Sequence, residues 1–142
     1  MKKIDAKTVV KNYRGGRLPV PLFDADGVVA TEPIVKPDGK PLLDPAGNAV
    51  TKQTEGPATI LNILDFMILD FPRDKLTMKH ISEGTRLMGT IAKCRENDLA
   101  ELEIEDASYK WLIATMKMDD VGVRMFSMSL GNVLAALGAD TG

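Results

Sequence analysis

Hydrophobic residues in the second part of the chain recur with the period of an α-helix. Residues 60–71 place their apolar side chains on one face, and Pro72 is positioned to end that helix. Pro57 suits the first turn of the same helix, since a proline there loses no hydrogen bond. Thr77 can accept a hydrogen bond from the first turn of a second helix. The pattern therefore predicts two successive amphipathic helices.

Two more helices are predicted towards the end of the chain. Asp106 can cap a third helix, and residues 120–137 predict a last one that Gly138 terminates. Four apolar-faced helices favour a small helical bundle over residues 57–142. The side chains expected to meet in its core are Leu64, Ile68, Leu112, Phe126, Leu130 and Leu134.

The first part of the chain has a different pattern, with short apolar runs between turn signals. Glycines in pairs or after aspartate, as at Gly15-Gly16, Asp26-Gly27, Pro37-Asp38-Gly39 and Asp44 to Gly47, are typical of tight reversals. Seven of the eight prolines fall between Pro19 and Pro57, which disfavours a regular central sheet. Residues 1–56 are therefore predicted to form a β-hairpin or extended arm. The fold class is α+β, with this arm followed by the bundle of about four helices.

Composition excludes several classes of protein. The 142 residues carry a net charge of −2, with one cysteine and one histidine. A disulfide framework and a multi-cysteine zinc site are thereby excluded. Residues 1–17 hold six lysines and arginines against one aspartate, yet the net charge makes a nucleic-acid partner unexpected. Neither a membrane span nor a signal peptide is predicted, since the longest apolar stretches contain polar residues and the N-terminus lacks an apolar core.

Candidate catalytic and ligand motifs fail at named positions. A calcium loop around Gly27 would place Leu22 and Pro33 where oxygen ligands are required. Gly84 to Gly89-Thr90 lacks the lysine of a phosphate-binding loop. His80 and Cys94 have no partner motif, which favours a surface or half-buried helical histidine and a small packed thiol. We expect no enzymatic activity, no cofactor, no metal and no small-molecule substrate.

The arm has apolar residues but too many prolines and glycines to build a core alone. Such residues must fold back on the bundle or bury against a neighbouring chain. Contact with another chain is the favoured interpretation, since prolines reduce the entropy lost when an extended segment docks. The predicted partner-binding residues are Val20, Leu22, Phe23, Val28, Val29, Ile34, Val35, Leu42 and Leu43.

Alternating residues 99–104 predict a short strand or extended link. Extended backbone would place Glu101, Glu103 and Glu105 on one side, as an acidic edge. This acidic edge is a second candidate partner-binding surface, and the alternative is a solvated edge that discourages aggregation. Bound divalent metal there would instead indicate an enzyme.

Methionines cluster near the last predicted link between helices. Core filling and an adaptable contact face are both compatible with Met116, Met118, Met125 and Met128.

Segments at both ends of the chain resemble a family of small, uncharacterised tailed-bacteriophage proteins. The resemblance is carried by Ile4-Asp-Ala-Lys-Thr-Val-Val-Lys-Asn-Tyr13, Pro37-Asp-Gly-Lys-Pro-Leu42, Thr59-Ile-Leu-Asn-Ile-Leu64, Leu102-Glu-Ile-Glu-Asp-Ala107 and Asn132-Val-Leu-Ala-Ala-Leu137. Residues 19–54 stand as an insertion relative to that family. The resemblance implies a phage origin and an assembly or accessory role, and it supplies no functional residues.

Together these features predict a non-enzymatic structural or assembly protein of a phage particle. It would form oligomers or contact other phage proteins, in the cytoplasm of the bacterial host during assembly or in the virion. The alternative is a small phage-encoded inhibitor or regulator of a host protein.

Overall fold

The computed structural model describes residues 1–24 and 26–139 and confirms the α+β fold class. The strands are β1 (Lys2–Asp5), β2 (Pro19–Pro21), β3 (Thr31–Pro33), β4 (Thr51–Gln53), β5 (Glu55–Pro57) and β6 (Glu101–Ile104). The α-helices are α1 (Ile60–Leu69), α2 (Met78–Glu96), α3 (Asp106–Met116), the single turn α4 (Arg124–Phe126) and α5 (Leu130–Ala136). Short 3₁₀ segments lie at Arg73–Lys75 and Ser127–Ser129, and a π-helical turn at Asp119–Val123.

The strands pair in three antiparallel two-stranded sheets. β1 pairs with β6, β2 with β5, and β3 with β4. The structure confirms a strand within residues 99–104, where a short strand or extended link is predicted. This strand, β6, pairs with β1 at the start of the chain. The other two sheets are successive parts of the arm.

Four equivalent hairpin loops build the arm. Each is closed by a glycine at positive φ, namely Gly15 (81°), Gly27 (78°), Gly39 (85°) and Gly47 (85°). The N–H of each glycine donates to the carbonyl three residues earlier, at 2.9–3.0 Å. Glycine is required there because other residues adopt this conformation at a cost. The first three of these glycines are spaced twelve residues apart, so the arm contains an internal repeat.

Between the loops, three backbone segments meet in closed triangles of hydrogen bonds. Leu22 N–H donates to Thr54 O at 2.9 Å, Thr54 N–H to Ala30 O at 2.8 Å, and Ala30 N–H to Leu22 O at 2.8 Å. A second triangle of the same kind lies further out along the arm. Ile34 N–H donates to Val50 O, Val50 N–H to Leu42 O, and Leu42 N–H to Ile34 O, each at 2.9 Å. We call each triangle, with its flanking strand pairs, a tier. Both tiers satisfy their backbone groups without a hydrophobic core.

One hydrophobic core holds the base of the arm and the helices together. Val10 and Val20 from the N-terminal part are buried with Leu64 of α1 and Leu112 of α3. Apolar residues from both sides of the predicted boundary near residue 56 therefore share a core. The outer strands β3 and β4 are exposed along their whole length.

Four of the six predicted core residues are buried in this cluster, while Ile68 and Leu130 are half-buried against it. Ile68 lies beside Gly84 of α2, where a Cβ would be 3.4 Å from Ile68 Cγ2, and Leu130 follows the helix break at Ser127.

Thr77 begins α2 as predicted, and its Oγ1 accepts the N–H of His80 at 3.3 Å. Two predicted helix starts are displaced. Pro57 ends β5, and Thr59 caps α1 by accepting the N–H of Asn62 at 3.2 Å. Asp106 lies in the first turn of α3 rather than at its cap. There its carboxylate is 3.2 Å from the N-terminal amine, close to the positive end of the helix dipole.

The predicted continuous helix over residues 120–137 is wrong. Ser127 has φ 48° and ψ −125°, which a right-handed helix cannot contain. Before it, the π-helical turn folds so tightly onto α3 that a Cβ on Gly122 would lie 1.7 Å from the carbonyl oxygen of Met116. Glycine is the residue that allows this approach. Gly138 ends α5 as predicted, with φ 76°.

Candidate functional site

The arm presents cross-strand apolar pairs at equivalent positions behind its loops. The second, third and fourth hairpins place the pairs Phe23–Val29, Val35–Pro41 and Leu43–Ala49 directly opposite each other. Directly opposed residues of antiparallel strands lie on the same face, so each pair forms a small apolar patch.

These patches differ in whether the chain itself covers them. The second hairpin lies against α1, where a Cβ on Gly27 would be 3.3 Å from Leu69 Cδ2, and its Phe23 is half-buried. In the third and fourth hairpins, Val35 is 57% exposed and Leu43 is 53% exposed. The outer arm, residues 31–53, therefore carries apolar pairs without the cover that the inner hairpin has.

The predicted arm residues fall into three groups. Val20 is buried in the chain's own core, at 1% exposure, so it is not available to a partner. Val20 is drawn inward because β2 packs on α1. The half-buried group is Leu22, Phe23, Val29 and Ile34. The exposed group is Val28, Val35, Leu42 and Leu43.

Local hydrogen bonds fix the shape of the outer arm. Asp44 Oδ1 accepts the N–H groups of Ala46 and Asn48 at 3.0 and 2.9 Å, and Asp38 Oδ1 accepts that of Lys40 at 2.9 Å. These side chains reproduce the bonding of a turn. The outer arm is thus held in one shape by hydrogen bonds within the chain.

The acidic edge has the predicted geometry but is largely paired within the chain. Glu101 and Glu103 are exposed on β6 while Leu102 and Ile104 are buried. Lys3 Nζ lies 3.9 Å from Glu103 Oε1, and Arg86 Nη1 lies 3.8 Å from Glu105 Oε2. At the end of this edge, a hydrogen bond from the Lys7 ammonium lowers the pKa of Asp98. The surface is consequently less acidic than its sequence indicates.

His80 is half-buried, as predicted, and it contacts two aromatic side chains. The Nε1–H of Trp111 donates to His80 Nδ1 at 2.9 Å, and the ring of Phe71 lies 4.6 Å from the imidazole, centroid to centroid. The histidine therefore joins α2 to α3. Cys94 is buried, and its Sγ lies 3.7 Å from the carbonyl oxygen of Leu99.

An ion pair between a buried carboxylate of α1 and an exposed arginine of α2 was not anticipated from the sequence. Asp65 Oδ2 lies 2.6 Å from Arg95 Nη1, and Asp65 Oδ1 has no hydrogen-bond partner among the described residues. Burial raises the pKa of the Asp65 carboxyl, and Arg95 opposes that rise. Clefts of about 380 and 300 Å³ flank the pair under the second hairpin. An aspartate interrupting an apolar helix face was the only sequence signal.

The methionines divide between core and surface. Met116 is buried, Met118 and Met125 are half-buried against the core, and Met128 is 74% exposed beside the Ser127 reversal.

Among residues 1–24 and 26–139, no group of three or more histidine, cysteine, aspartate or glutamate side chains is placed to hold a metal ion. In the same described ranges, no helix is both long and apolar enough to cross a membrane. Comparison of the chain with protein-family models, with curated proteins and with solved structures finds no match.

Proposed function

We propose that this chain is a non-enzymatic protein that acts through protein–protein contacts, with the outer arm as its main contact element. The observation that carries this proposal is the contrast between equivalent hairpins. The pair of the inner hairpin is covered by α1, whereas Val35 and Leu43 are exposed in the outer ones. Exposed apolar patches on an ordered element are typical of interaction sites.

The arm's construction supports the same function. Its backbone groups are satisfied within the tiers, so the outer arm is ordered although β3 and β4 bury no side chains against the helices. An element that does not stabilise the core but is held in one shape is suited to docking. A scaffold of this kind also agrees with the absence of any recognised catalytic motif in the sequence.

The setting that we propose is a phage particle or its assembly intermediates, with other phage proteins or further copies of this chain as partners. The resemblance at both ends of the chain supports a phage origin. The alternative, a regulator of a host protein, differs in stoichiometry: it would form a discrete complex with a single host protein.

The test uses the chain in phage-producing cells. Tagged chain is isolated in its native complexes, and native mass spectrometry gives their composition. We expect complexes that contain several copies or other particle proteins. The double variant Val35→Ser/Leu43→Ser should lose them, while the matched control Leu76→Ser/Met78→Ser, which changes two exposed apolar residues outside the arm, should retain them.

Two outcomes would contradict the proposal. One is a complex that survives in the arm variant, and the other is a wild-type chain that remains a monomer in producing cells. A one-to-one complex with a host protein would replace the proposal with the alternative.

A further inference from the structure

The first hairpin departs from the other three at one equivalent position. The second, third and fourth hairpins have two apolar residues opposite each other at the strand positions next to the loop. At the same positions the first hairpin has Lys11 opposite Arg17. Its loop is otherwise the same, with Gly15 N–H donating to Asn12 O at 2.9 Å. Asn12 N–H donates to Gly16 O at 3.0 Å, which makes Lys11 and Arg17 a non-hydrogen-bonded pair, the kind whose side chains approach most closely.

Two cations directly opposite each other repel, and no ion pair in the described part of the chain offsets this repulsion. None of the ion pairs there includes Lys11, Arg14 or Arg17. The segment against which the hairpin packs, residues 127–136, contains no acidic residue. Like charges in this arrangement lower stability. A bound anionic group would reverse that effect by pairing with both cations.

The hairpin is also held in place rather than free. Tyr13 N–H donates to Ser129 Oγ at 3.2 Å, and Asn132 Nδ2 donates to the carbonyl oxygens of Lys11 and Asn12 at 3.0 and 2.9 Å. Anchoring of the backbone fixes the positions from which the three cationic side chains extend. We call the surface formed by Lys11, Tyr13, Arg14, Arg17 and Met128 the basic tip.

The basic tip also exposes apolar side-chain surface. Tyr13 is 52% exposed with the Arg14 guanidinium 5.5 Å from its ring centroid, and Met128 is 74% exposed. Tyrosine, arginine and methionine are the residues that protein interfaces favour. The basic tip thus combines an anion-binding pair with side chains suited to a peptide surface.

We propose that the basic tip binds an acidic segment of a different protein. A second copy of this chain is a poor partner because two of the three glutamates of the acidic edge are already paired, Glu103 with Lys3 and Glu105 with Arg86. Nucleic acid is disfavoured because three cations meet few phosphates, and the chain as a whole is net negative, at −2. This contact is separate from the outer arm.

The experiment measures binding of poly-L-glutamate to the full chain at low ionic strength, with backbone amide shifts to locate the contact. We expect shifts at residues 11–17 and around Met128. The variant Lys11→Gln/Arg17→Gln should bind about tenfold more weakly, since each charge-assisted pair contributes substantially. Its matched control, Lys79→Gln/Lys110→Gln, removes two exposed charges from the helices and should bind like the wild type.

Three results would overturn the proposal: no binding by the wild type, equal weakening in both double variants, or tighter binding of a single-stranded thymidine oligonucleotide than of poly-L-glutamate. The last result would identify the basic tip as a nucleic-acid surface. The arm variant Val35→Ser/Leu43→Ser should bind poly-L-glutamate normally, so failure here and failure of the proposed function are distinguishable.

Discussion

Trp111 and His80 are joined by a hydrogen bond of 2.9 Å from the indole Nε1–H to Nδ1 of the imidazole. Trp111 is only 8% exposed, so its N–H has little access to water if the histidine is removed. The bond also requires His80 to carry no proton on Nδ1. The single histidine of the chain is therefore a structural acceptor between α2 and α3.

Replacing His80 with leucine should lower the free energy of unfolding by about 1–3 kcal/mol, since a buried donor is left without an acceptor. Urea denaturation followed by tryptophan fluorescence measures this. Lys79→Leu, an exposed change on the neighbouring residue, should alter stability by less than about 0.5 kcal/mol. Equal effects of the two changes would show that the bond does not contribute.

Asp65→Asn should change the pH dependence of stability. Burial raises the folded-state pKa of Asp65 above the ordinary value of 3.8, so the folded chain holds its proton to higher pH than the unfolded chain does. The cost of the buried charge is fully present above the folded-state pKa and disappears as pH falls towards 3.8. Stability of the variant relative to the wild type should therefore increase with rising pH through this window.

Asp98→Asn is the control for that measurement. The hydrogen bond from Lys7 lowers the pKa of Asp98, so its contribution is present above the ordinary value and is lost as pH falls through the lowered one. The relative stability of this variant should change with pH in the opposite direction. Denaturant titrations at a series of pH values give the stability of each variant relative to the wild type. If this relative stability changes with pH in the same direction for both variants, the opposite pKa shifts of Asp65 and Asp98 are contradicted.

Leu64→Ala and Leu130→Ala should differ in cost although both were predicted to be core positions. Leu64 is fully buried, and its truncation should cost about 2–5 kcal/mol. Leu130 is half-buried, and about 1–2 kcal/mol is expected, since less apolar area is lost from the interior. Chemical denaturation of the two variants tests this; a larger loss at Leu130 would mean that Leu130 is the more deeply buried of the two.

Ser127→Gly should stabilise the fold. Ser127 holds φ 48° and ψ −125°, where a side chain costs about 1–3 kcal/mol and glycine is unstrained. The greater freedom of glycine in the unfolded chain offsets part of this, so about 0.5–1.5 kcal/mol is expected. Thermal unfolding should show a higher Tm, whereas Ser129→Gly, which removes the hydroxyl bonded to Tyr13, should lower it.

Removal of residues 31–53 should leave a folded chain. Ala30 and Thr54 are already joined by a hydrogen bond of 2.8 Å, so an Asn-Gly turn can close the gap. Far-ultraviolet circular dichroism should retain the helical signal, and native mass spectrometry should show loss of the complexes that we propose for the arm. Unfolding of the shortened chain would show that the outer arm supports the core. A deletion starting at residue 20 is less suitable, because it removes the buried Val20.

The sequence predicts the local features and misses those that join distant residues. Helix periodicity, the Thr77 cap and the Gly138 stop depend on neighbours in the chain, and the structure confirms them. The twelve-residue spacing of Gly15, Gly27 and Gly39 is also visible in the sequence, although the closing segment that completes each tier comes from residues 50–58. Neither Asp65 nor Arg95 signals its partner, since thirty residues separate them.

The break in the last helix shows the same limit. Residues 120–137 have a helical apolar pattern and no proline. The chain leaves the helix at Ser127, and before that residue Gly122 lies so close to the carbonyl of Met116 that no Cβ fits between them. Tertiary packing decides this segment.

The closed triangles also determine how far the arm extends. Successive triangles take Thr54 and then Val50 from the returning strand, four residues apart, so each tier adds roughly 13 Å of reach at about 3.3 Å per residue. Because every triangle completes its own hydrogen bonds, a tier can be gained or lost without disturbing the helices beneath it. The reach of the arm from the helices is thus counted in whole tiers.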